Sequence, residues 1–495
     1  MTSDPHESTE DIAYLSVDAI RTRLADGSLT ATQLVSTLLE RIEALDSPAS
    51  PIALRSILAL SPDAHEQAAA SDQRRSAGHA LGPLDGIPVL IKDNIEARGL
   101  PACAGSTALR GSPPARDAHL VARLRSAGAI VLGSTNLSEW ANIRSSSSTG
   151  GWSAVGGLCG NPWGLDRNAG GSSSGAGAAL AAGLAPLCVG TETDGSIVCP
   201  ASLNGVTGLK PTVGAVPTEG VIPISASQDS PGPMARSVRD LALLFEILAD
   251  QGGVADQVDH GHDGSVLAIA RSFRTGHGPT DELFDAACMT LAEVGLALTD
   301  REPPEPSSAE DDEETVLFCE LFDDLSRYLA ARPGAHPMNL EALIDFEDRH
   351  ADVELAHFGH DLFVLAVATG GRANPQYEPA RQRALEWALT RCLEPAIEGA
   401  VALMAPSFGP AWKSDLAIGG HPAFASHLTA AAAIAGWPIL ALPLGLVSGL
   451  PVGLALVGRP GAEADLLRMG AAIEAVLALD VENSWRPSWE PTQRG

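Results

Sequence analysis

The chain has 495 residues, 45% apolar and 19% charged, ample for a large buried core and unlike a small disulfide scaffold, a coiled coil, collagen or a wholly disordered chain. Its formal charge of −29 repels phosphate backbones and anionic membrane faces, so neither nucleic acid nor membrane is expected as a partner. Seven cysteines without CxxC pairs or zinc-ligand spacing read as reduced core thiols; Met1 to Glu10 lacks a secretory pattern, and the expected location is cytoplasmic.

Residues 1–80 read as N-terminal helices. Thr30-x-x-Gln33 is a capping box, and Leu34, Val35, Leu38, Leu39, Ile42 and Leu45 follow at helical spacing. Over 81–245, short apolar runs such as Ile87 to Lys92 and Ala129 to Gly133 alternate with helical patterns such as Asp117 to Ser126, which predicts an α/β sheet. Over 250–400 glycine thins and charge rises. Eight acidic residues between Asp300 and Glu314, around Pro303, Pro304 and Pro306, read as a solvated surface loop. Helical patterns at Val316 to Ala331 and Met338 to His350 then predict a mostly helical insertion that shapes substrate access. Residues 401–480 return to the sheet. Thr429 to Gly458 carries no charge and is long enough to span a bilayer, but Pro438, Pro443 and Pro451 interrupt it. It reads as two buried strands, Ile439 to Leu446 and Leu450 to Val457, followed by an amphipathic helix near Leu466 to Leu477.

Three local features could carry chemistry. Only three of the 32 basic residues are lysines, at 92, 210 and 413, so the chain fills most cationic positions with arginine. Lys92 ends an apolar run and could be desolvated enough to lose its proton, which arginine cannot do; the alternative is a lysine snorkelling from a strand end. Gly171-x-Ser173-x-Gly175 matches a nucleophile elbow, but Asn161 to Arg167 before it reads as loop where an elbow needs a strand. The Ala-rich Ala176 to Ala185 segment after it reads as a buried helix rather than a linker. In Gly190-Thr191-Glu192-Thr193-Asp194-Gly195-Ser196, the glycines allow backbone N–H groups to converge as an oxyanion hole; the alternative is an ordinary turn with a solvated serine.

Taken together these runs resemble the amidase signature family. Asp85 to Asn94 is similar to its lysine strand, Ser172 and Ser196 stand 24 residues apart as in its serine motifs, and Gly205 to Thr212, Gly232 to Val238, Gly449 to Leu454 and Gly458-Arg459-Pro460 match further along. The resemblance covers about 15–475 and implies a large mixed twisted β-sheet covered on both faces by helices. Gly190 to Pro200 departs from the commoner pattern and looks like the peptide amidase branch, as do Asn136 to Asn142 and Phe358-Gly359-His360-Asp361, which are expected to bear on specificity. Val198 stands where many relatives have arginine, so a substrate carboxylate loses its obvious partner; with the negative net charge this favours neutral or cationic amides.

The resemblance implies a Ser-cisSer-Lys triad in which Ser196 attacks, Ser172 relays the proton and neutral Lys92 accepts it. Backbone N–H groups of Thr193, Asp194, Gly195 and Ser196 are implied to form the oxyanion hole, and ammonia leaves an acyl-enzyme. An unperturbed lysine is neutral about once in 2,500 at pH 7, a penalty of roughly 4.6 kcal/mol, most of which burial must remove. C-terminal peptide amides are the first expectation; the A component of a glutamine-dependent amidotransferase, an enzyme for aryl or fatty amides, and a non-catalytic scaffold stay open. No cofactor and no metal are expected, since His260-x-His262 beside Asp263, flanked by glycines, reads as an exposed loop and Cys199 as a small core side chain.

Overall fold

A computed structural model describes residues 12–261, 264–306, 308–420 and 424–477. Its centre is an eleven-stranded sheet. The strands are β1 (Ile57–Leu60), β2 (Pro88–Lys92), β3 (Ile130–Thr135), β4 (Leu187–Glu192), β5 (Thr207–Lys210), β6 (Ser230–Ala235), β7 (Val266–Ala270), β8 (Ala297–Arg301), β9 (Ala402–Pro406), β10 (Ile439–Val447) and β11 (Leu450–Val457). They lie in the order β1-β3-β2-β4-β6-β5-β10-β11-β9-β7-β8. The runs β3-β2-β4 and β9-β7-β8 are parallel and the remaining pairs antiparallel, so the sheet is mixed, as expected.

β2, β3, β4 and β11 are buried along their whole length, which is why they read as continuous apolar runs rather than alternating ones. The uncharged stretch forms the helix Leu428–Ala435 and the hairpin β10–β11, turned by Ser448 and Gly449 at φ 53° and 77°, the left-handed pair a two-residue hairpin loop needs. Among the described residues no helix is long and apolar enough to cross a membrane. Helices flank the sheet: Val238–Ala249 packs on β6, and Glu463–Leu477 on β10. The capping box forms, Thr30 Oγ1 accepting from Gln33 N at 3.0 Å and Gln33 Oε1 from Thr30 N at 2.9 Å.

Three expectations need correction. The 250–400 segment supplies two strands of the core sheet, β7 and β8, so its purely helical part starts only at Ala309. The second half of the acidic run is not loop: helix Ala309–Ala331 begins there, because acidic side chains in a first turn are favoured by the exposed N–H groups. Asp312 and Glu313 are buried, the first held by Arg383 Nε and Nη2 at 3.0 and 2.5 Å, the second by Gln228 Nε2 at 2.6 Å. Asn161 to Arg167 is also not loop throughout, since Gly160–Asn161 pairs with Gly164–Asn168 in a small separate hairpin.

Two helices bring the glycine-rich motifs together. Ser174–Ala181 and Val198–Asn204 lie against each other, and a Cβ on Gly177 would sit 2.8 Å from Pro200 O. Gly175 is tighter still: a Cβ there would meet Ser56 O at 2.1 Å and Asn136 O at 2.6 Å, both immovable backbone. Gly175→Ala is therefore expected to lower unfolding free energy by about 2–3 kcal/mol, read from chemical denaturation midpoints.

Candidate active site

The site forms where β2 and β4 end. These parallel strands run in register, with Leu90 beside Cys188 and Ile91 beside Val189, so the next residue, Lys92, reaches Thr191 at the carboxyl end of its neighbour. Lys92 is fully buried. Its Nζ lies 2.7 Å from Ser172 Oγ, 2.9 Å from Thr191 Oγ1 and 3.1 Å from Thr191 O. Asn94 Nδ2 donates to the same Thr191 hydroxyl at 2.9 Å. Burial pulls the ammonium down to about 7, while the charges of Glu192 and Asp229 hold it from falling further.

Each serine of the 172–174 run has a different neighbour. Ser172 faces Lys92, and the Gly171–Ser172 peptide bond is cis. Ser173 is fully buried and bonds Thr191 O on β4 at 3.1 Å, and Ser174 Oγ donates to Gly170 O at 2.5 Å. The elbow pattern is thus occupied by a core serine, although the segment before it pairs as a small hairpin rather than running as loop. Gly171 must lack a side chain, because a Cβ would stand 2.2 Å from Ser138 Oγ.

After β4 the chain turns through Thr193 to Ile197 into helix Val198–Asn204, with Gly195 at φ 72°. Glu192 organises this turn from inside, its Oε2 accepting from Ile197 N at 2.6 Å and Val198 N at 2.9 Å, with the Gly195 N–H also directed at the carboxylate. Burial raises the Glu192 carboxyl and the buried Lys210 ammonium opposes that. Thr193 Oγ1 donates to Asp229 at 2.6 Å, and Asp229 accepts in turn from Ile224 N and Ser225 N at 2.8 and 3.0 Å. The N–H groups of Thr193, Asp194 and Ser196 have no acceptor among the described residues. Ser196 is nine-tenths buried and its hydroxyl is likewise without a partner among them.

Ser172, Thr193, Asp194, Gly195 and Ser196 all line one cavity of about 360 Å³. Its described lining also includes Asn142, Phe408, Trp412, Glu310 and His427, and no lysine or arginine. Cys199 reaches the wall, but burial pushes its thiol up to about 12, which leaves it an inert packing group. Val198 is buried away from the cavity.

One wall is a contorted segment. Trp140, Ala141 and Asn142 have φ of 49°, 54° and 75°, the left-handed region that non-glycine residues enter only under constraint. The constraint is a buried charge cluster. Arg144 donates to Glu139 Oε1 and Glu354 O, each at 2.5 Å, and its guanidinium stands 4.5 Å from the Phe358 ring centroid. His360 Nδ1 lies 2.9 Å from Glu347 Oε2, and Asp361 accepts from Ser145 Oγ at 2.6 Å. Phe358, His360 and Asp361 therefore brace the wall rather than line the cavity. Carboxylate oxygens of Glu139, Glu347 and Glu354 lie within 4.8 Å of one another, an arrangement a metal ion could use, but the Arg144 guanidinium already supplies the local positive charge. Of the weak histidine motif, His262 and Asp263 lie outside the described residues.

A family model described as Amidase matches residues 33–467. The chain belongs to the amidase signature family. It is therefore an amidase, an enzyme acting on amide C–N bonds. It is similar to the native peptide amidase from Stenotrophomonas maltophilia (40% identity, TM-score 0.88, covering 94% of this chain and 97% of that one). It is also similar to an amidase family protein from Bacillus anthracis (28% identity, TM-score 0.84, covering 95% and 92%). The A component of the glutamyl-tRNA(Gln) amidotransferase of Chloroflexus aggregans is 33% identical over 94% of this chain and 97% of its own length.

Motif reading singled out Lys92, Ser172 and the 193–196 run, and the amidase brings them to one place. It missed Asp229, Glu310, His427 and Arg144. Thr191 and Glu192 sat inside a recognised run and could have been questioned there; the others have no local signal, because their partners lie far along the chain. Removing the charge of Arg144 leaves Glu139 buried without its counter-ion, so Arg144→Met is expected to cost about 3–5 kcal/mol in urea-unfolding free energy.

Proposed function

We propose that this amidase hydrolyses the C-terminal carboxamide of peptides to a carboxylate and ammonia, through an acyl-enzyme on Ser196. The observation that carries the reading is a wholly buried lysine, drawn down to about 7, whose amine contacts a serine hydroxyl at 2.7 Å on the wall of a cavity that also holds Ser196. Ser196 Oγ attacks the carbonyl carbon, and its proton passes by way of the Ser172 hydroxyl to neutral Lys92. The carbonyl oxygen gains the negative charge and is received by N–H groups of the 193–196 turn; those of Thr193, Asp194 and Ser196 are open for it, while that of Gly195 is shared with Glu192. The C–N bond then breaks as the nitrogen takes a proton back through Ser172, releasing ammonia. Water attacks the acyl-enzyme by the same route in reverse, and Ser196 recovers its proton.

The peptide amidase likeness at 40% identity supports the substrate class. The amidotransferase likeness supports a second reading, glutamine as ammonia donor for a partner protein. Against it, the cavity offers carboxylates and, among its described residues, no arginine or lysine for the α-carboxylate of glutamine. Seven free buried cysteines fit a reducing, cytoplasmic setting.

Ammonia release from an N-acetyl dipeptide amide, compared with glutamine, tests the reading. Peptide amide turnover that falls by about 10³-fold or more in Ser196→Ala and by at least about 10²-fold in Lys92→Arg is expected; release from glutamine alone would transfer the case to the amidotransferase. Because Lys92 must be neutral to accept a proton, kcat/KM should rise with pH through about 7. Glu192→Gln removes the larger of the two charges that raise the Lys92 pKa, so its acid limb should move to lower pH. An unmoved limb would show that another group titrates there.

A further inference from the structure

Among the described residues, two carboxylates and one imidazole face the cavity that ends at Ser196, and they come from three elements: Asp194 from the turn after β4, Glu310 from the first turn of helix Ala309–Ala331, and His427 from the residue before helix Leu428–Ala435. Asp194 and Glu310 are both open to the cavity, and His427 Nδ1 lies 3.0 Å from Glu310 Oε1. One turn further along the same helix Glu313 is buried behind them. The surrounding protein raises the Asp194 carboxyl to about 7, Glu192 and Glu310 add to this, and a Thr429 hydrogen bond and Lys210 oppose it. Lys210 is fully buried, bonded to Pro211 O at 3.2 Å, and does not line the cavity. Like charges thus share a cavity whose described lining has no lysine or arginine.

The independent sign of a ligand is Ser196, nine-tenths buried, lining the same cavity, with a hydroxyl that has no partner among the described residues. A primary amide leaves as ammonia, which needs almost no room. The cavity volume is therefore for the acyl portion of the substrate, and the carboxylates face that portion.

We propose that Asp194 and Glu310 form a subsite for a cationic nitrogen on the acyl portion of the substrate, so that the enzyme prefers carboxamides carrying a positive charge. The proposal rests on the hydrolytic reading above. The cation is a free α-ammonium or a basic side chain, which present the same chemistry to the two carboxylates. The two residues select the substrate and take no part in bond making; Asp194 contributes its N–H to the reaction independently of its side chain. The same field disfavours substrates with an acidic side chain.

The test compares kcat/KM at pH 7 and constant ionic strength for N-acetyl-leucinamide, leucinamide, N-acetyl-argininamide and N-acetyl-glutamic acid α-amide. At least one of the two cationic amides should exceed N-acetyl-leucinamide by about tenfold, the acidic one should fall below it, and added salt should shrink the cationic advantage. In Glu310→Gln the ratio of the favoured cationic amide to the neutral one should drop by at least about threefold, and whichever of leucinamide or N-acetyl-argininamide holds the advantage identifies the source of the charge. Equal kcat/KM for the neutral and both cationic amides, or a ratio untouched by Glu310→Gln, overturns the subsite. Calorimetric titration of the same amides into Ser196→Ala reads the preference without turnover. Tighter binding of a cationic amide in a protein whose parent hydrolyses none of the four would sink the proposed reaction and leave the subsite standing; equal affinities would sink the subsite whatever the reaction does.

Discussion

The site depends on one amine kept from water at the end of a strand. Lys92 can be neutral near pH 7 because it is fully buried and because, among the described residues, its hydrogen-bond partners are the uncharged Ser172 and Thr191. That condition constrains the rest. β2 and β4 must be parallel and in register for Thr191 to meet the lysine, and the helix after the serine run must press closely enough on its surroundings to hold Ser172 over it. The counter-charges must be near enough to stop the amine falling too far and distant enough not to form a salt bridge, which is where Glu192 and Asp229 stand.

Charge is partitioned by residue type. Of the three lysines, two are fully buried, with their ammonium groups drawn down to about 7 and about 8, while Lys413 is exposed. Arginine does the permanent work. Arg144, Arg372 and Arg383 each hold carboxylates that would otherwise be stranded in the protein, using the planar fork that lysine lacks. The described lining of the cavity has neither. The large negative charge read from composition therefore extends inward, through Glu310 and Asp194, to the place where substrate would sit.

The legible part of the site consists of short contiguous runs. An apolar strand ending in lysine, a serine run between glycines and a Gly-Thr-Glu-Thr-Asp-Gly-Ser turn each need particular residue types within ten positions, and such runs keep their pattern whatever lies around them. The acidic run at Asp300 to Glu314 shows the limit. By composition it looks like solvated surface, yet its second half begins a helix, Asp312 and Glu313 are buried, and Glu310 faces the cavity. Neutralisation by Arg383, 71 residues on, makes the burial of Asp312 tolerable, and nothing local announces that partner. In the same way Phe358 to Asp361 carries a recognisable pattern whose effect is indirect: it braces Trp140 to Asn142 through Arg144 and Ser145.

The sequence by itself determined the sheet-forming texture, the family, and the lysine and two serines around which the cavity is built, because strand burial and tight glycine turns are dictated over spans of a few residues. Only the tertiary structure decided that Lys92 is fully buried, that burial lowers its basicity while Glu192 and Asp229 oppose the fall, and that two carboxylates, with a histidine but no lysine or arginine among the described lining, face the same cavity as Ser196. Desolvation and Coulomb interaction depend on distance in space rather than along the chain, and those distances exist only once the sheet has closed around them.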